Sequence, residues 1–348
     1  MSLSFSGVGG RALPALLFSF ASVPAFAQAD VAAFYKGKTV EMVVGYAAGS
    51  SNDIAARAVA RTIGKYLPGN PTVITRNMPG GGSFIAANYV YNIAPKDGTV
   101  IGLMAPTLPI DEKLGTQGVK YVASKFNWIG RETTSVGVTF SWMTSKVKTV
   151  ADAMAREISL AGTGAGSTTA IYPNVLNNLA GTKFKIIMGY AGSNEAMLAV
   201  ERGEMEAHST AWEQVMSQHP DWVRDKKINL LVQYALAKHP ALPDVPLAVD
   251  LMKTDEDKRI MRAVVAAADV GKSILAGPGV PPARVAALRA AFNEAVKDPD
   301  FIKDFESSRI EVIPMGGAEL QGVVEELGAL PPDLVEKVRK VYEMPGAK

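Results

Sequence analysis

Three times along this chain, an apolar segment ends in a loop of small and polar residues that leads directly into a helical pattern. The loops are residues 47–53, 161–169 and 189–194. The first follows a β-branched strand predicted at Thr39–Val44 and precedes a helix predicted over residues 54–67, with Asp53 as its N-cap. A strand, a tight loop and a helix form half of a βαβ unit, so the pattern predicts mostly parallel sheets flanked by helices.

The same α/β design occupies both halves of the chain without a sequence repeat. Further strands are predicted at residues 71–75, 99–104, 128–131, 136–143, 158–161, 184–188, 228–234 and 272–276. Further helices are predicted at residues 83–92, 150–156, 169–179, 195–202, 282–297, 299–307 and 317–326, and residues 105–124 are predicted to be irregular. A chain of 348 residues is long enough for two lobes with separate cores.

The Gly-rich loops are suited to binding an anion. Each brings free backbone N–H groups and a helix N-terminus together, which favours negative charge by roughly 0.3–1 kcal/mol per interaction. The competing interpretation is that βα turns of any α/β protein use Gly and Ser, and it explains one such loop better than three. The loops are not nucleotide motifs, because Gly162, Gly164 and Gly166 lack GxGxxG spacing and no GxxxxGK[ST] occurs.

Charge and cysteine content exclude several classes of protein. The formal net charge is +2 and no acidic or basic block occurs, so neither nucleic acid nor a membrane surface is indicated as a partner. The absence of cysteine excludes disulfides, thiolate nucleophiles and a lipidated cysteine anchor.

The N-terminal segment is typical of a secretory signal peptide, residues 1–27. Arg11 is the only charge before Asp30, an apolar run follows it, and the small residues around Phe26 predict cleavage after Ala27. A buried helix or membrane anchor is the alternative, but the run contains two prolines and is too short for a hydrocarbon core of about 30 Å. The mature chain is therefore predicted to be exported to the periplasm.

Candidate catalytic and metal-binding groups are few. The three histidines, His208, His219 and His239, are not at metal-ligand spacing, and no GxSxG elbow occurs. A secreted hydrolase or lyase stays open only through a Ser–Asp or Lys arrangement that sequence alone does not reveal. Trp142 and Trp212 are compatible both with lining a cleft and with core packing. We therefore predict no enzyme activity, no cofactor and no metal.

Several segments resemble the receptors of tripartite tricarboxylate transporters, also called Bug proteins. Residues 43–57 resemble the opening strand–loop–helix of that family, and residues 76–85 resemble its NxPGxGG turn. Similar matches occur at residues 94–99, 189–197, 240–246, 277–284 and 293–299. Their order and spacing are specific when taken together, and they cover about residues 33–325.

The resemblance implies a two-lobe type II periplasmic binding protein, with lobe 1 formed by residues 30–136 and 272–348 and lobe 2 by residues 137–271. The implied function is capture of a small di-, tri- or aromatic carboxylate in the interlobe cleft, and its delivery by a monomeric receptor to the permease subunits of such a transporter. A ligand-sensing protein that signals to a membrane partner has the same binding chemistry, so this alternative stays open.

By the same resemblance, backbone amides of two facing loops hold one carboxylate, and residues 162–169 contact the other end of the ligand. The implied ligand-binding residues are Tyr46, Ala48, Gly49, Ser50, Ser51, Asn52, Asp53, Thr107, Gly164, Ser167, Thr168, Tyr190, Ala191, Gly192, Ser193, Asn194 and Trp212. The chain departs from the family pattern at residues 50–52, where a Gly run is usual, and at Ala170, where His is frequent. These departures leave the ligand's identity open, and whether Arg131 or Trp142 lines the cleft also stays open.

Overall fold

The computed structural model describes residues 25–164 and 166–343 as two α/β lobes, each built on its own β-sheet. The predicted signal peptide lies outside the described residues, apart from its end at residues 25–27, where helix α1 (Ala25–Tyr35) begins. Among the described residues, no helix is both long and apolar enough to cross a membrane.

The two sheets share one strand order. The described strands are β1 (Thr39–Val44), β2 (Thr72–Asn77), β3 (Val100–Leu103), β4 (Asn127–Thr133), β5 (Gly137–Trp142), β6 (Ile158–Gly162), β7 (Phe184–Met188), β8 (Ala207–Ala211), β9 (Ile228–Tyr234), β10 (Lys272–Ala276) and β11 (Met315–Gly316). The first sheet has the order β2-β1-β3-β10-β4-β11, and the second has the order β7-β6-β8-β5-β9. β1 is parallel to β2 and β3, and β6 is parallel to β7 and β8. β10 and β5 are antiparallel to both of their neighbours, so β4 and β9 again point with the parallel strands and each sheet is mostly parallel, as predicted.

The antiparallel strand within each sheet is the strand by which the chain arrives from the other sheet. β5 follows β4 after residues 134–136, and β10 is the first strand after β9. The two crossings lie side by side, since the Ser135 N–H donates a hydrogen bond to the Ala268 carbonyl oxygen at 3.0 Å. The lobes are therefore joined by two adjacent segments of backbone.

Helices cover both faces of each sheet. They are α2 (Ser51–Tyr66), α3 (Phe84–Asn92), α4 (Leu108–Leu114), α5 (Val150–Ala155), α6 (Thr168–Ala180), α7 (Ser193–Glu201), α8 (Trp212–Gln218), α9 (Pro220–Arg224), α10 (Asp255–Val265), α11 (Ala267–Val270), α12 (Pro282–Ala295), α13 (Pro299–Ser307), α14 (Gly317–Gly328) and α15 (Pro332–Tyr342). α2, α12 and α13 bury apolar side chains on one face of the first sheet, and α3 and α14 do so on the other. In the second sheet, α6 and α10 cover one face, and α7 and α8 cover the other.

The C-terminal helix α15 packs on the second sheet's side of the molecule. Leu334 and Val338 of α15 belong to the same buried cluster as Val175 of α6. The Asn174 side chain donates hydrogen bonds to the Val341 and Tyr342 carbonyl oxygens at 3.0 and 3.2 Å, which satisfies part of the C-terminus of α15. The chain thus reaches across to the second lobe again after its last strand.

The prediction that Asp53 is the N-cap of the first long helix is wrong. Ser50 is the N-cap of α2, with extended backbone angles (φ −72°, ψ 160°), and its hydroxyl accepts a hydrogen bond from the Asp53 N–H at 3.2 Å. Asp53 lies within the first turn, where the helix dipole also favours a carboxylate. Sequence alone did not separate these two positions because Ser and Asp both suit a cap.

Elements without a strong apolar pattern were missed. Residues 105–124 are not irregular throughout, because α4 lies within them and begins with Leu108 and Pro109. Proline at a first helical turn is favourable, yet in a sequence it also suggests a break. β8, with the sequence AHSTA, is a buried central strand although it has little hydrophobic alternation. Its position is set by the neighbouring strands and not by its own pattern.

Gly271 provides a test of the second crossing. Its backbone (φ +57°, ψ −150°) lies in a region that is essentially restricted to glycine, and a Cβ added there would stand 2.1 Å from the Thr133 carbonyl oxygen. We expect Gly271→Ala to lower the free energy of unfolding by at least ~2 kcal/mol in chemical denaturation. Gly322→Ala is the control, because it lies within α14 with open space around it and is expected to gain about 0.5–1 kcal/mol. Equal effects of the two substitutions would contradict this account.

Candidate functional site

The three Gly-rich loops lie at the carboxyl ends of parallel strands. The first joins β1 to α2, the second joins β6 to α6, and the third joins β7 to α7. This end of an open α/β sheet is where ligands bind, because loops and helix N-termini converge there. The fold therefore places the loops of both lobes as the sequence predicted, at positions suited to binding.

Asp53 holds the first loop in shape. Its carboxylate accepts hydrogen bonds from the Gly49 N–H (2.9 Å), the Arg57 Nε (2.9 Å) and the Asn77 Nδ2 (2.8 Å). Asn77 Nδ2 also donates to the Tyr46 carbonyl oxygen at 3.0 Å. Burial alone would raise the pKa of Asp53, but these hydrogen bonds hold the pKa below its usual range. The buried carboxylate thus holds the backbone of the first loop in place through these hydrogen bonds.

One side chain links the first and third loops across the lobes. The Ser51 N–H, at the N-terminus of α2, donates a hydrogen bond to Gln214 Oε1 at 3.1 Å. Gln214 Nε2 donates in turn to Asn194 Oδ1 at 2.7 Å. Sequence reasoning missed Gln214, since it lies between the predicted helix at residues 195–202 and the predicted strand at residues 228–234, where a single Gln carries no signal of its own.

The loop between β7 and α7 is held by polar contacts within the second lobe. The Ala191 N–H donates to Glu195 Oε2 at 3.0 Å, and the Thr210 hydroxyl donates to Ser193 Oγ at 3.1 Å. Gly192 is the N-cap of α7 and offers no side chain to the helix N-terminus. The amides that open α7 are therefore not capped by a side chain of the N-cap residue.

The loop between β6 and α6 carries a closed set of hydroxyl groups. Thr163, Ser167 and Thr169 are hydrogen-bonded to one another, with each oxygen pair separated by 2.9 Å. A Cβ added to Gly82, in the turn between β2 and α3 of the first lobe, would stand 2.8 Å from the Gly166 carbonyl oxygen. The two lobes are therefore in direct contact at this loop, and only glycine fits at that point.

Two buried polar groups lie near each other at the start of α4, and neither has any other hydrogen-bond partner among the described residues. They are Thr107 Oγ1 and Asp111 Oδ2, which belong to residues 2% and 1% exposed. Burial raises the pKa of Asp111 to about 7. The negative charge of Asp111 also acts on Tyr46 of the first lobe and Tyr172 of α6, so this carboxyl group stands between the two lobes.

A second buried cluster of charges lies where the chain crosses between the lobes. Lys272 Nζ is 3.8 Å from Glu213 Oε2, and both side chains are buried. Glu132, on β4 beside the start of β10, is fully buried, and neither of its carboxyl oxygens has a hydrogen-bond partner in the described part of the chain. Burial raises the pKa of Glu132 to about 8, although the charge of Lys272 acts to lower it. Glu132 is therefore largely protonated at neutral pH.

The remaining candidates occupy other positions. Arg131 donates hydrogen bonds to the carbonyl oxygens of Asp269 (2.7 Å) and Ile313 (3.3 Å), so it ties the backbone of the second crossing to that of the first lobe. Trp142 packs against Trp222 with ring centroids 4.9 Å apart, at the end of β5 that points away from the crossings. The Arg131 side chain is buried, and the Trp142 side chain is partly buried against the core of the second lobe.

Trp212 lies two residues before Gln214 in the chain. It is buried at the start of α8 and lines a cavity of about 180 Å³ together with Glu213, His239 and Glu311. The residues that line this cavity belong to none of the three loops. Among the described residues, no group of three or more His, Asp or Glu side chains is arranged to hold a metal ion.

Comparison with known families decides the identity of the fold. The family model "Tripartite tricarboxylate transporter family receptor" matches residues 55–338. The chain belongs to this family. Receptors of this family are periplasmic solute-binding proteins, and the match confirms the predicted resemblance.

Individual relatives agree with this assignment. The UPF0065 protein in the gbd 5′ region of Cupriavidus necator is 27% identical to the receptor over 303 residues, covering 85% of each chain. The periplasmic binding protein BugD aligns with a TM-score of 0.69 at 21% identity, covering 88% of the receptor and 98% of BugD. MatC from Rhodopseudomonas palustris, solved with bound malate, aligns with a TM-score of 0.66 at 20% identity, covering 88% and 99% of the two chains. These structures confirm the predicted two-lobe type II periplasmic binding protein fold.

Glu132 is expected to make the receptor less stable as the pH rises. Its pKa is about 8 in the folded state against 4.5 for an ordinary Glu, so between these values the folded protein holds a proton that the unfolded chain releases. The contribution of Glu132 to the free energy of unfolding should fall between pH 6.5 and 8 by up to about 1.4 kcal/mol per pH unit, and Asp111, whose pKa is about 7, adds to the fall below pH 7. His208, whose pKa burial lowers to about 4, acts in the opposite direction, but only below pH 6.5.

Chemical denaturation of Glu132→Gln at the same pH values tests this expectation. The variant should show a flatter dependence than the wild type, because it lacks the titrating carboxyl group. Glu325→Gln, at an exposed position of α14, is the control and should follow the wild type. A Glu132→Gln variant with the wild-type slope would rule out this group as the source.

Proposed function

We propose that the receptor captures a small organic carboxylate between its two lobes and delivers it to the membrane permease of a tripartite tricarboxylate transporter. The observation that carries the proposal is the Ser51 N–H, which opens α2 and points across the cleft to an oxygen acceptor from the other lobe. A helix N-terminus binds a carboxylate better than a neutral oxygen, because charge and helix dipole act together. The malate bound to the related MatC is of this chemical class.

The lobes in this proposal are residues 30–136 with 272–348, and residues 137–271. Binding would bring them together about the paired crossings near Ser135 and Gly271, where two segments of backbone can act as a hinge. Helix α15 packs against the second lobe and would move with it. The segment that joins α15 to the first lobe must therefore change conformation during closure.

The proposed contacts divide between the two ends of the ligand. One carboxylate would be held by backbone amides of residues 46–53 and 190–194. The other end would face Thr107 and the hydroxyl loop at residues 162–169. The Thr107 hydroxyl is buried and, apart from the neighbouring Asp111 carboxyl group, has no partner in the described chain, which supports this orientation, because such a group is costly unless a ligand satisfies it.

A ligand screen tests the proposed class. Mature protein should gain thermal stability with at least one of malate, succinate, adipate, citrate or benzoate, because a solute that binds only the folded state raises the melting temperature. Isothermal titration calorimetry would then give the dissociation constant. A melting temperature raised by a neutral sugar or a cationic amine, and by no carboxylate, would contradict the proposal.

The proposed role of the Ser51 amide has a sharper test. Ser51 is the first residue of α2, where proline fits, and Ser50 already has the extended backbone that a residue before proline requires. Ser51→Pro should therefore leave the fold intact but remove the N–H donor, and weaken carboxylate binding at least about tenfold. Ser51→Ala keeps the N–H and is the matched control. If calorimetry finds equal affinities for the two variants, the amide does not hold the ligand.

Asp255→Pro provides a control for the backbone change itself. Asp255 is likewise the first residue of a helix, α10, and Thr254 before it is extended (φ −112°, ψ 155°). This substitution places proline at an equivalent position far from the Gly-rich loops. It should leave ligand affinity unchanged, so a loss in Ser51→Pro alone would be specific to the cleft.

A further inference from the structure

We propose that Gln214 is an affinity-determining residue of the cleft, whose side-chain amide occupies the position of the ligand's carboxylate and competes with it. The inference rests on the proposed function for the identity of the competitor. It adds a role for a residue that belongs to none of the Gly-rich loops. Gln214 is 5% exposed and lies on α8, one residue after the buried Glu213.

The geometry places the Gln214 amide between the two loops that are proposed to grip the ligand. Its Oε1 accepts from the Ser51 N–H at 3.1 Å, and its Nε2 donates to Asn194 Oδ1 at 2.7 Å. The backbone donor at Ser51 fixes the orientation of the amide, because only the oxygen of Gln214 can accept from it. The Gln214 side chain thus forms hydrogen bonds with one group of the first lobe and one group of the second lobe.

The competition follows from the chemistry of the donor. An amide N–H has one hydrogen, so the Gln214 oxygen and a ligand carboxylate cannot both take the Ser51 donor in a linear hydrogen bond. A carboxylate forms the stronger bond at a helix N-terminus and therefore displaces the neutral amide. Its apparent affinity is nevertheless reduced by the fraction of receptor in which Gln214 already holds the position.

The same contact closes the lobes in the absence of solute. Ser51 belongs to the first lobe and Gln214 to the second, so their hydrogen bond favours the closed arrangement in which Gly82 also touches Gly166. Removing the Gln214 amide should leave the lobes freer to open. Replacing it with a carboxylate should hold them closed, since a permanent negative charge would then sit at the N-terminus of α2.

Distances between the lobes test the closing contact without any ligand. The chain has no cysteine, so Ile93→Cys and Leu198→Cys, at positions 73% and 40% exposed in the first and second lobes, allow selective spin labelling. Double electron–electron resonance on the ligand-free protein should show a longer distance in Gln214→Ala than in the otherwise wild-type protein. Gln214→Glu should keep the short distance. A Gln214→Ala distribution identical to wild type would overturn the closing role.

Calorimetry with whichever of malate or adipate binds the wild type tests the competition. Gln214→Ala should bind the ligand about two- to tenfold more tightly, because the ligand no longer has to displace one neutral hydrogen bond. Gln214→Glu should bind it at least about tenfold more weakly. Gln218→Ala and Gln218→Glu, one turn later on α8, make the same changes outside the contact and should bind as the wild type does. Weaker binding by Gln214→Ala would overturn the proposal, because it would make Gln214 a ligand-holding residue.

The two proposals fail separately. If no carboxylate binds the wild type, the proposed function fails, while the label distances still decide whether Gln214 closes the lobes. If a carboxylate binds but Gln214→Ala neither opens the lobes nor tightens binding, the inference about Gln214 alone fails. Should Gln214→Ala melt too early to be measured, Gln214→Asn keeps the amide but is one methylene too short to span the two loops, and the same outcomes apply to it.

Discussion

The exchange of strands between the two sheets is the constraint on which the rest of this receptor depends. Each sheet is completed by an antiparallel strand that arrives from the other lobe, β5 in one direction and β10 in the other. The two crossings must therefore run together, and Gly271 provides the one backbone conformation that lets the second pass the Thr133 carbonyl. The carboxyl ends of the parallel strands carry all three Gly-rich loops, and residues of these loops meet the opposite lobe through Gln214 and Gly82.

Burial of ionisable groups at the junction between the lobes lowers the stability of the folded state. Glu132, Glu213 and Lys272 are buried at the crossings, and Asp111 is buried beside the loops. Proteins in which apolar residues of similar volume replace such buried charges are often no less stable than the original. The protein lowers the cost at Glu132 by holding a proton at neutral pH. These groups therefore link the junction between the lobes to the protonation state of the protein.

Local sequence predicted the loops well, because the information that specifies them is local. Glycine and small polar residues between an apolar strand and a helix indicate a βα turn wherever they occur, and β1, β7, β9 and β10 were predicted with the bounds that the structure gives them. The predicted N-cap of α2 was wrong by three residues, since Ser50 and Asp53 both suit a helix N-terminus. β8 and α4 were not predicted because their secondary structure depends on contacts with neighbouring elements and not on their own residue patterns.

The sequence by itself determined the two-lobe α/β design, the family and the three loops, since each is read from short local segments and from their order along the chain. Only the tertiary structure decided which side chains stand between those loops. Gln214 is 163 residues from Ser51, and nothing in either segment indicates that the two meet. Arg131 and Trp142 are polar and aromatic residues of the kind that line clefts, yet Arg131 is buried and Trp142 packs against Trp222 at the opposite end of β5 from the crossings. Contacts between distant segments depend on how the sheets are joined, and that arrangement exists only in the folded chain.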